Sequence, residues 1–261
     1  MLMKSEEAKY FLNIINEIQY EENAFTVWYG EDKIVLGAIL FDSPEAQKFF
    51  SFATIYHTIL DVDKKIKYSF KESIRWTDEI TFEKWNPLYL PSANEQKALY
   101  YVENAVFRTE VLWDLLAQMF NIKENLGKPI EKVYAAQLFH DAQQGKRPNQ
   151  FAKKVYNYMQ QADNCDIEPW EGNYSYVREI RDKLTHRNSP SVSTMSNFDM
   201  SLRMPTVYVL KRVIEEYKQV SDFIKEYVTE VLKDYEELNN CTPENLGQEG
   251  NNVRTINNNN L

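Results

Sequence analysis

The chain is poor in the residues that staple, break or ligate. Its two cysteines, Cys165 and Cys241, stand far apart with no CxxC pattern, so neither a disulfide framework nor a zinc site is indicated. Seven glycines and nine prolines in 261 residues are too few for a turn-rich all-β fold and favour long uninterrupted elements. No long apolar run is present, and the polar residues 1–9 lack the apolar core of a signal peptide. The expectation is a cytoplasmic protein with no membrane span. Positive charge is also short. The net charge of -9 excludes a chain that coats nucleic acid through a general basic surface, and leaves room only for a local basic patch. With three histidines, proton transfer near neutral pH has few places to sit.

What the chain does have is rings and long periodic segments. Its 17 Tyr, 14 Phe and 5 Trp can fill an aromatic core or an association surface. Residues 5–21 set Tyr10, Phe11, Ile14, Ile15 and Ile18 at helical spacing. Residues 25–41 have hairpin character around Gly30-Glu31-Asp32-Lys33, although Gly37-Ala38-Ile39-Leu40 fits the start of a buried helix equally well. Ser43-Pro44-Glu45 reads as a helix start, with the helix reaching about residue 70. Trp76, Phe82, Trp85 and Tyr89 then mark an aromatic connector over 71–91.

Ser92 and Glu95 form an S-x-x-E capping box that opens a helix to about residue 121. Its seam of Val102, Val106, Thr109, Trp113, Leu116 and Phe120 alternates steps of four and three, the pattern of lengthwise packing in a bundle. Residues 125–129 stop it. Shorter helices follow over 130–142 and 148–162, then a loop over 163–170. The next helix turns Tyr174, Val177, Ile180 and Leu184 inward and ends near His186. A Ser-rich loop leads to a last long helix over about 204–239, and the Asn-rich residues 242–261 read as a disordered tail. The predicted fold is mainly α, an antiparallel helical bundle over 92–241. An N-terminal elaboration over 1–91, with its hairpin segment, is expected to pack on it.

The chemistry concentrates in residues 178–187, Arg-Glu-Ile-Arg-Asp-Lys-Leu-Thr-His-Arg. Arg181 and His186 pair a fixed cation with a group able to exchange a proton near neutral pH. A guanidinium grips phosphate oxygens in a planar fork, and an imidazole beside it can move a proton. Plainer readings exist. Basic residues in a last helical turn offset the helix dipole, and Glu179 with Lys183, or Arg178 with Asp182, can pair at i, i+4. His57 reads as a packed helix histidine and His140, beside Asp141, as a cap. The acidic residues Glu103, Glu110 and Asp114 share one helix face, read as solvated or interfacial charge.

On its R-x4-H segment, Arg181-Asp182-Lys183-Leu184-Thr185-His186, the chain resembles the HEPN superfamily, an all-α group common in bacterial toxin and phage-defence systems. The hallmark there is R-x(4–6)-H near the end of a bundle helix, with a polar residue just after the arginine. The likeness extends over about 92–239, and residues 103–114 look like the long helix that packs against the motif helix. The resemblance implies a metal-independent, cofactor-free endoribonuclease, working as a homodimer with RNA as substrate and an antitoxin or regulatory protein as partner. It casts Arg181 and His186 as the catalytic pair and Asp182, Glu103, Asn104 and Arg108 as supporting residues. Arg178 and Arg187 become auxiliary phosphate contacts or ordinary surface charge. Two readings compete with it: a non-catalytic HEPN-like nucleotide-binding or protein-interaction module, which the acidic net charge favours, and a helical scaffold in which the motif is accidental.

Overall fold

A computed structural model describes residues 5–25, 27–29, 32–34, 44–77, 86–145, 148–164, 170–186, 189–195 and 200–241. The described chain is mainly helical: α1 (Ser5–Glu17), α2 (Pro44–Trp76), α3 (Ala93–Lys123), α4 (Ala135–Gln144), α5 (Gln150–Met159), α6 (Asn173–His186) and α7 (Thr206–Cys241). Two short strands, Val27–Tyr29 and Asp32–Ile34, pair antiparallel. The residues between them, the segment 35–43 and the tail 242–261 lie outside the described residues, as does Arg187. Among the described residues, no helix is long and apolar enough to cross a membrane.

α3 is the organising element, packed along α2 and against α7, α6 and α4. The direction of each neighbour follows from side-chain bonds. The Ser73 hydroxyl at the end of α2 donates to the Ala98 carbonyl at the start of α3. The Lys48 ammonium, near the start of α2, donates to the Lys123 carbonyl at the end of α3. The pair is therefore antiparallel. α7 runs in the same sense as α3: Thr206 meets Glu95 at their starts, Glu216 meets Trp113 midway, and Glu230 meets Lys123 toward their ends. The chain returns through α4, α5 and α6, and α6 lies antiparallel to α3.

All six seam residues of α3 are buried, as their alternation requires. Ser92 caps the helix, its hydroxyl accepting the Glu95 N–H at 3.1 Å. Asn125 and Gly127 adopt positive φ just past its end and stop it where expected. Elsewhere the predicted bounds shift. α2 continues past residue 70 to Trp76 because Ile74 is still in the core and Ser73 still finds a partner on α3. The segment from 130 opens with a 3-10 turn, Ile130–Lys132, before α4 begins at Ala135. In the Ser-rich loop, Thr194–Met195 pairs antiparallel with Met200–Ser201.

The entry to α6 is fixed by one glycine and one buried arginine. Gly172 has φ +70°, and a Cβ there would lie 2.4 Å from the Asp163 backbone nitrogen, so only glycine fits. The Arg212 guanidinium, fully buried on α7, donates to the Asp163 carboxylate at 3.1 Å and to the Glu171 carbonyl at 3.2 Å. These contacts hold the chain on both sides of the residues leading into α6.

Candidate functional site at the end of the sixth helix

α6 buries Tyr174, Val177 and Ile180 and so turns Arg181 toward α3. The Arg181 side chain keeps 31% of its surface exposed and meets two carboxylates. Nη1 lies 3.1 Å from Asp182 Oδ1 and Nη2 lies 3.7 Å from Glu110 Oε2. The guanidinium is not saturated. Among the described residues, neither Arg181 Nε nor Glu110 Oε1, both buried, has a hydrogen-bond partner. Burial pushes the Glu110 carboxyl up to about 7, against the pull of Arg181 and Arg178. Asp114, one helical turn further along α3, is also raised, by desolvation that outweighs the bond from the Ala135 N–H and the nearby arginines.

Behind this edge lies a buried polar layer. The Glu216 carboxyl on α7 has no solvent exposure, accepts from Trp113 Nε1 at 2.8 Å and receives the Tyr158 hydroxyl. Burial pushes it up to about 8. The Tyr174 ring stands edge-on to Trp113 at 5.5 Å between centroids, and its hydroxyl accepts from Arg178 at 3.2 Å. Burial and the neighbouring Glu110 push Tyr174 up to about 12. Glu110, Tyr174 and Glu216 thus form a buried acidic layer beneath the arginines of α6.

The structure does not draw all the sequence-nominated residues together. Asp182 meets Arg181 directly. His186 is the last residue of α6 and is exposed. Five residues of α-helix advance about 7.5 Å and turn about 140°, so Arg181 and His186 leave the helix on different sides. Glu103 instead accepts from the Ser191 hydroxyl at 2.7 Å, which ties the loop after α6 to α3. Asn104 and Arg108 are bonded to each other, with Arg108 Nη1 donating to Asn104 Oδ1 at 3.1 Å. Arg178 is spent on Tyr174 and is otherwise exposed. His140 packs beside the Tyr156 ring and Asp141.

The residue missed from sequence is Glu110. It lies seven positions after Glu103 on the charged face, but its side chain is only 14% exposed because α6 crosses α3 there. Its heptad relation to Glu103 was the available signal; the crossing point of α6 was not. The surface around the motif also carries apolar groups. Tyr100, Phe107 and Val111, at steps of seven and four on α3, are all exposed. Beside them a groove of about 250 Å³ is lined by Leu90, Tyr100, Glu103, Ser191 and Val192. A cavity of about 470 Å³ sits at the other end of α6, lined by Tyr10, Tyr158, Trp170, Asn173 and Glu215 and by none of the nominated residues. Among the described residues, no group of three or more His, Cys, Asp or Glu side chains is placed to hold a metal ion.

Fold and site together define a helical-bundle protein with a carboxylate-flanked arginine and an exposed histidine toward the end of one bundle helix. No protein-family model matches the chain, and neither the curated proteins nor the solved structures hold a match to it.

Proposed function

We propose that the chain is a metal-independent endoribonuclease of HEPN type, a toxin or phage-defence effector of the cytoplasm that acts as a homodimer. The observation that carries this reading is the Arg181 guanidinium at the end of α6. It is partly exposed, and an exposed His186 follows on the last turn. In the proposed reaction His186 takes the 2′-hydroxyl proton and O2′ attacks the adjacent phosphorus. The O2′–P bond forms, the P–O5′ bond breaks, and the proton passes to the departing O5′. The products are a 2′,3′-cyclic phosphate and a 5′-hydroxyl. Arg181 holds the phosphate and offsets the charge that develops on its oxygens. Asp182 orients the guanidinium from its own helix, and Arg178 and Arg187 add positive potential. Glu103 fixes the following loop, while Asn104 and Arg108 shape the α3 surface beside it.

Since Arg181 and His186 diverge on α6, a site built from two copies supplies the facing pair more easily than one copy does. The exposed Tyr100, Phe107 and Val111 offer apolar area for that association. Expression of wild type against His186→Ala, scored for growth arrest and for cyclic-phosphate RNA ends, tests the proposal. Removal of a general acid–base is expected to slow cleavage about 100-fold or more. Equal behaviour of the two proteins overturns it.

A second reading is favoured by a specific observation: both Nη groups of Arg181 already face carboxylates in a chain of net charge -9. That arrangement suits a non-catalytic nucleotide-binding or protein-interaction module, bound by an antitoxin or regulatory protein. A purified dimer that binds nucleotide or protein and leaves RNA intact would establish it.

A further inference from the structure

We propose that Glu110 is the positioning residue of this site: its carboxylate holds the Arg181 guanidinium in place and releases it on taking up a proton. The inference rests on the reading of Arg181 as the phosphate-gripping group. Glu110 reaches Arg181 from α3, a different helix, so it fixes the guanidinium relative to the bundle. Asp182 is the next residue on the same helix and fixes it only relative to α6. The hold is deliberately incomplete in chemical terms. An arginine and a carboxylate can form two parallel bonds, yet here there is one contact at 3.7 Å, with Glu110 Oε1 and Arg181 Nε both buried and idle. Idle buried groups are costly, and a shift of either side chain could satisfy both at once. The pair therefore has two arrangements open to it, a loose one as seen and a closed fork.

The surroundings decide what a proton does. Glu110 faces Asp114 on its own helix, Tyr174, Arg178, Arg181 and Asp182 on α6, and Glu216 on α7. The two arginines favour its ionised form. Burial, Asp114 and Asp182 favour its neutral form, and burial is the largest influence. An ionised Glu110 attracts the guanidinium. A neutral one offers only an uncharged acceptor, so the ion-pair hold is lost and Asp182 and solvent compete for Arg181.

The test uses the full chain as wild type, Glu110→Gln and Glu110→Asp. Phenylglyoxal modifies accessible guanidinium groups. Peptide mass spectrometry reads Arg181 against Arg75, whose side chain is 67% exposed, in the same sample, which cancels the reagent's own pH dependence. In wild type the Arg181-to-Arg75 ratio is expected to rise about threefold or more between pH 8 and pH 6, as Glu110 takes up its proton. In Glu110→Gln it is expected to be high at both pH values, and in Glu110→Asp, one methylene short, intermediate. Circular dichroism and thermal melting establish that the variants are folded. Equal ratios in wild type and folded Glu110→Gln overturn the proposal. If Glu110→Gln does not fold, a wild-type ratio that stays flat with pH overturns it alone. Assays on RNA separate the two claims. A ratio that responds to Glu110 in a protein that leaves RNA intact removes the ribonuclease reading and keeps the hold. Cleavage that needs His186 but ignores Glu110→Gln, with flat labelling, keeps the reading and removes the hold.

Discussion

Two arginines of this protein are each held by a glutamate of α3, and they are held in opposite ways. Arg203 meets Glu95 at the start of the helix. All three of its nitrogens are used: Nε on the Tyr89 carbonyl at 3.0 Å, Nη1 on Glu95 at 2.7 Å and Nη2 on the Asn86 carbonyl at 3.4 Å. Its side chain is 5% exposed. Arg181 meets Glu110 midway along α3, at longer range, with one nitrogen idle and a third of its surface in solvent. The same pair of residue types makes a fastener in one place and an unfinished contact in the other. A closed pair this buried presents no guanidinium edge to a ligand. An open one, 31% exposed, does present one, which is why the Arg181 edge of α6 is the better place to seek function.

The largest effect should come from opening the closed pair. Arg203 ties α3 to residues 86–91, and its backbone N–H donates to the Ser193 hydroxyl, so three segments meet on it. Arg203→Ala leaves Glu95 buried without its cation. It is expected to cost about 3–5 kcal/mol, read as a shift in the urea midpoint. A loss below about 1 kcal/mol would erase the distinction between the two arginines.

Glu216 sharpens the contrast, because it is as buried as Glu95 but is served by neutral donors. Its carboxyl and that of Glu110 are raised in the folded chain, so the folded state binds their protons more tightly than the unfolded state does. That contribution is complete below the ordinary carboxylate range, near 4.5. It is lost as pH rises to about 7 for Glu110 and about 8 for Glu216. Stability should therefore fall with rising pH across this window, by up to about 1.4 kcal/mol per pH unit for each group. Glu216→Gln should flatten the slope between pH 6 and pH 8. An unchanged slope in denaturant titrations at those pH values would show that Glu216 is not its source.

How far the sequence foretold these sites depends on how local their causes are. The α3 seam, the Ser92 cap and the Asn125–Gly127 stop are written in neighbouring residues, and each took its expected place. α6 likewise ends at His186. The parallel course of α3 and α7 was not legible, since it depends on how α4, α5 and α6 return the chain. The Glu95–Arg203 pair spans 108 residues and leaves no local mark. Glu110 shared with Glu103 and Asp114 a reading as solvated or interfacial charge, because spacing specifies a helix face, while the burial of that face depends on where α6 crosses it. The divergence of Arg181 and His186 could have been read, since it follows from a spacing of five on an α-helix.

A smaller effect tests whether the start of α3 is a unit of its own. Ser92→Ala removes the cap on the Glu95 N–H and should cost about 1 kcal/mol. If the fastening at Glu95 is independent of the Arg181 edge, the phenylglyoxal ratio at Arg181 should not move. A changed ratio in Ser92→Ala would mean that strain at the helix start is felt fifteen residues further on, and the two arginines would no longer be separate cases.

The smallest expected effect is the stability cost of Arg181→Ala at pH 6, and its pH dependence carries the argument. Glu110 takes a proton near neutrality even with Arg181 beside it. At pH 6 the carboxyl is mostly neutral in wild type and in the variant, so removing the guanidinium forfeits little Coulombic attraction. The loss should be about 0.5 kcal/mol. At pH 8 wild type holds an ionised Glu110 against Arg181. The variant must either keep that charge buried alone or retain a proton against the solution, and its destabilisation should rise to about 1–2 kcal/mol. Denaturant titrations of both proteins at the two pH values give the difference directly. A cost that is large and equal at both would place Arg181 with Arg203 as a fastener. A cost that is small at pH 6 and grows with pH means the bundle can do without this guanidinium, as a residue kept for a ligand requires.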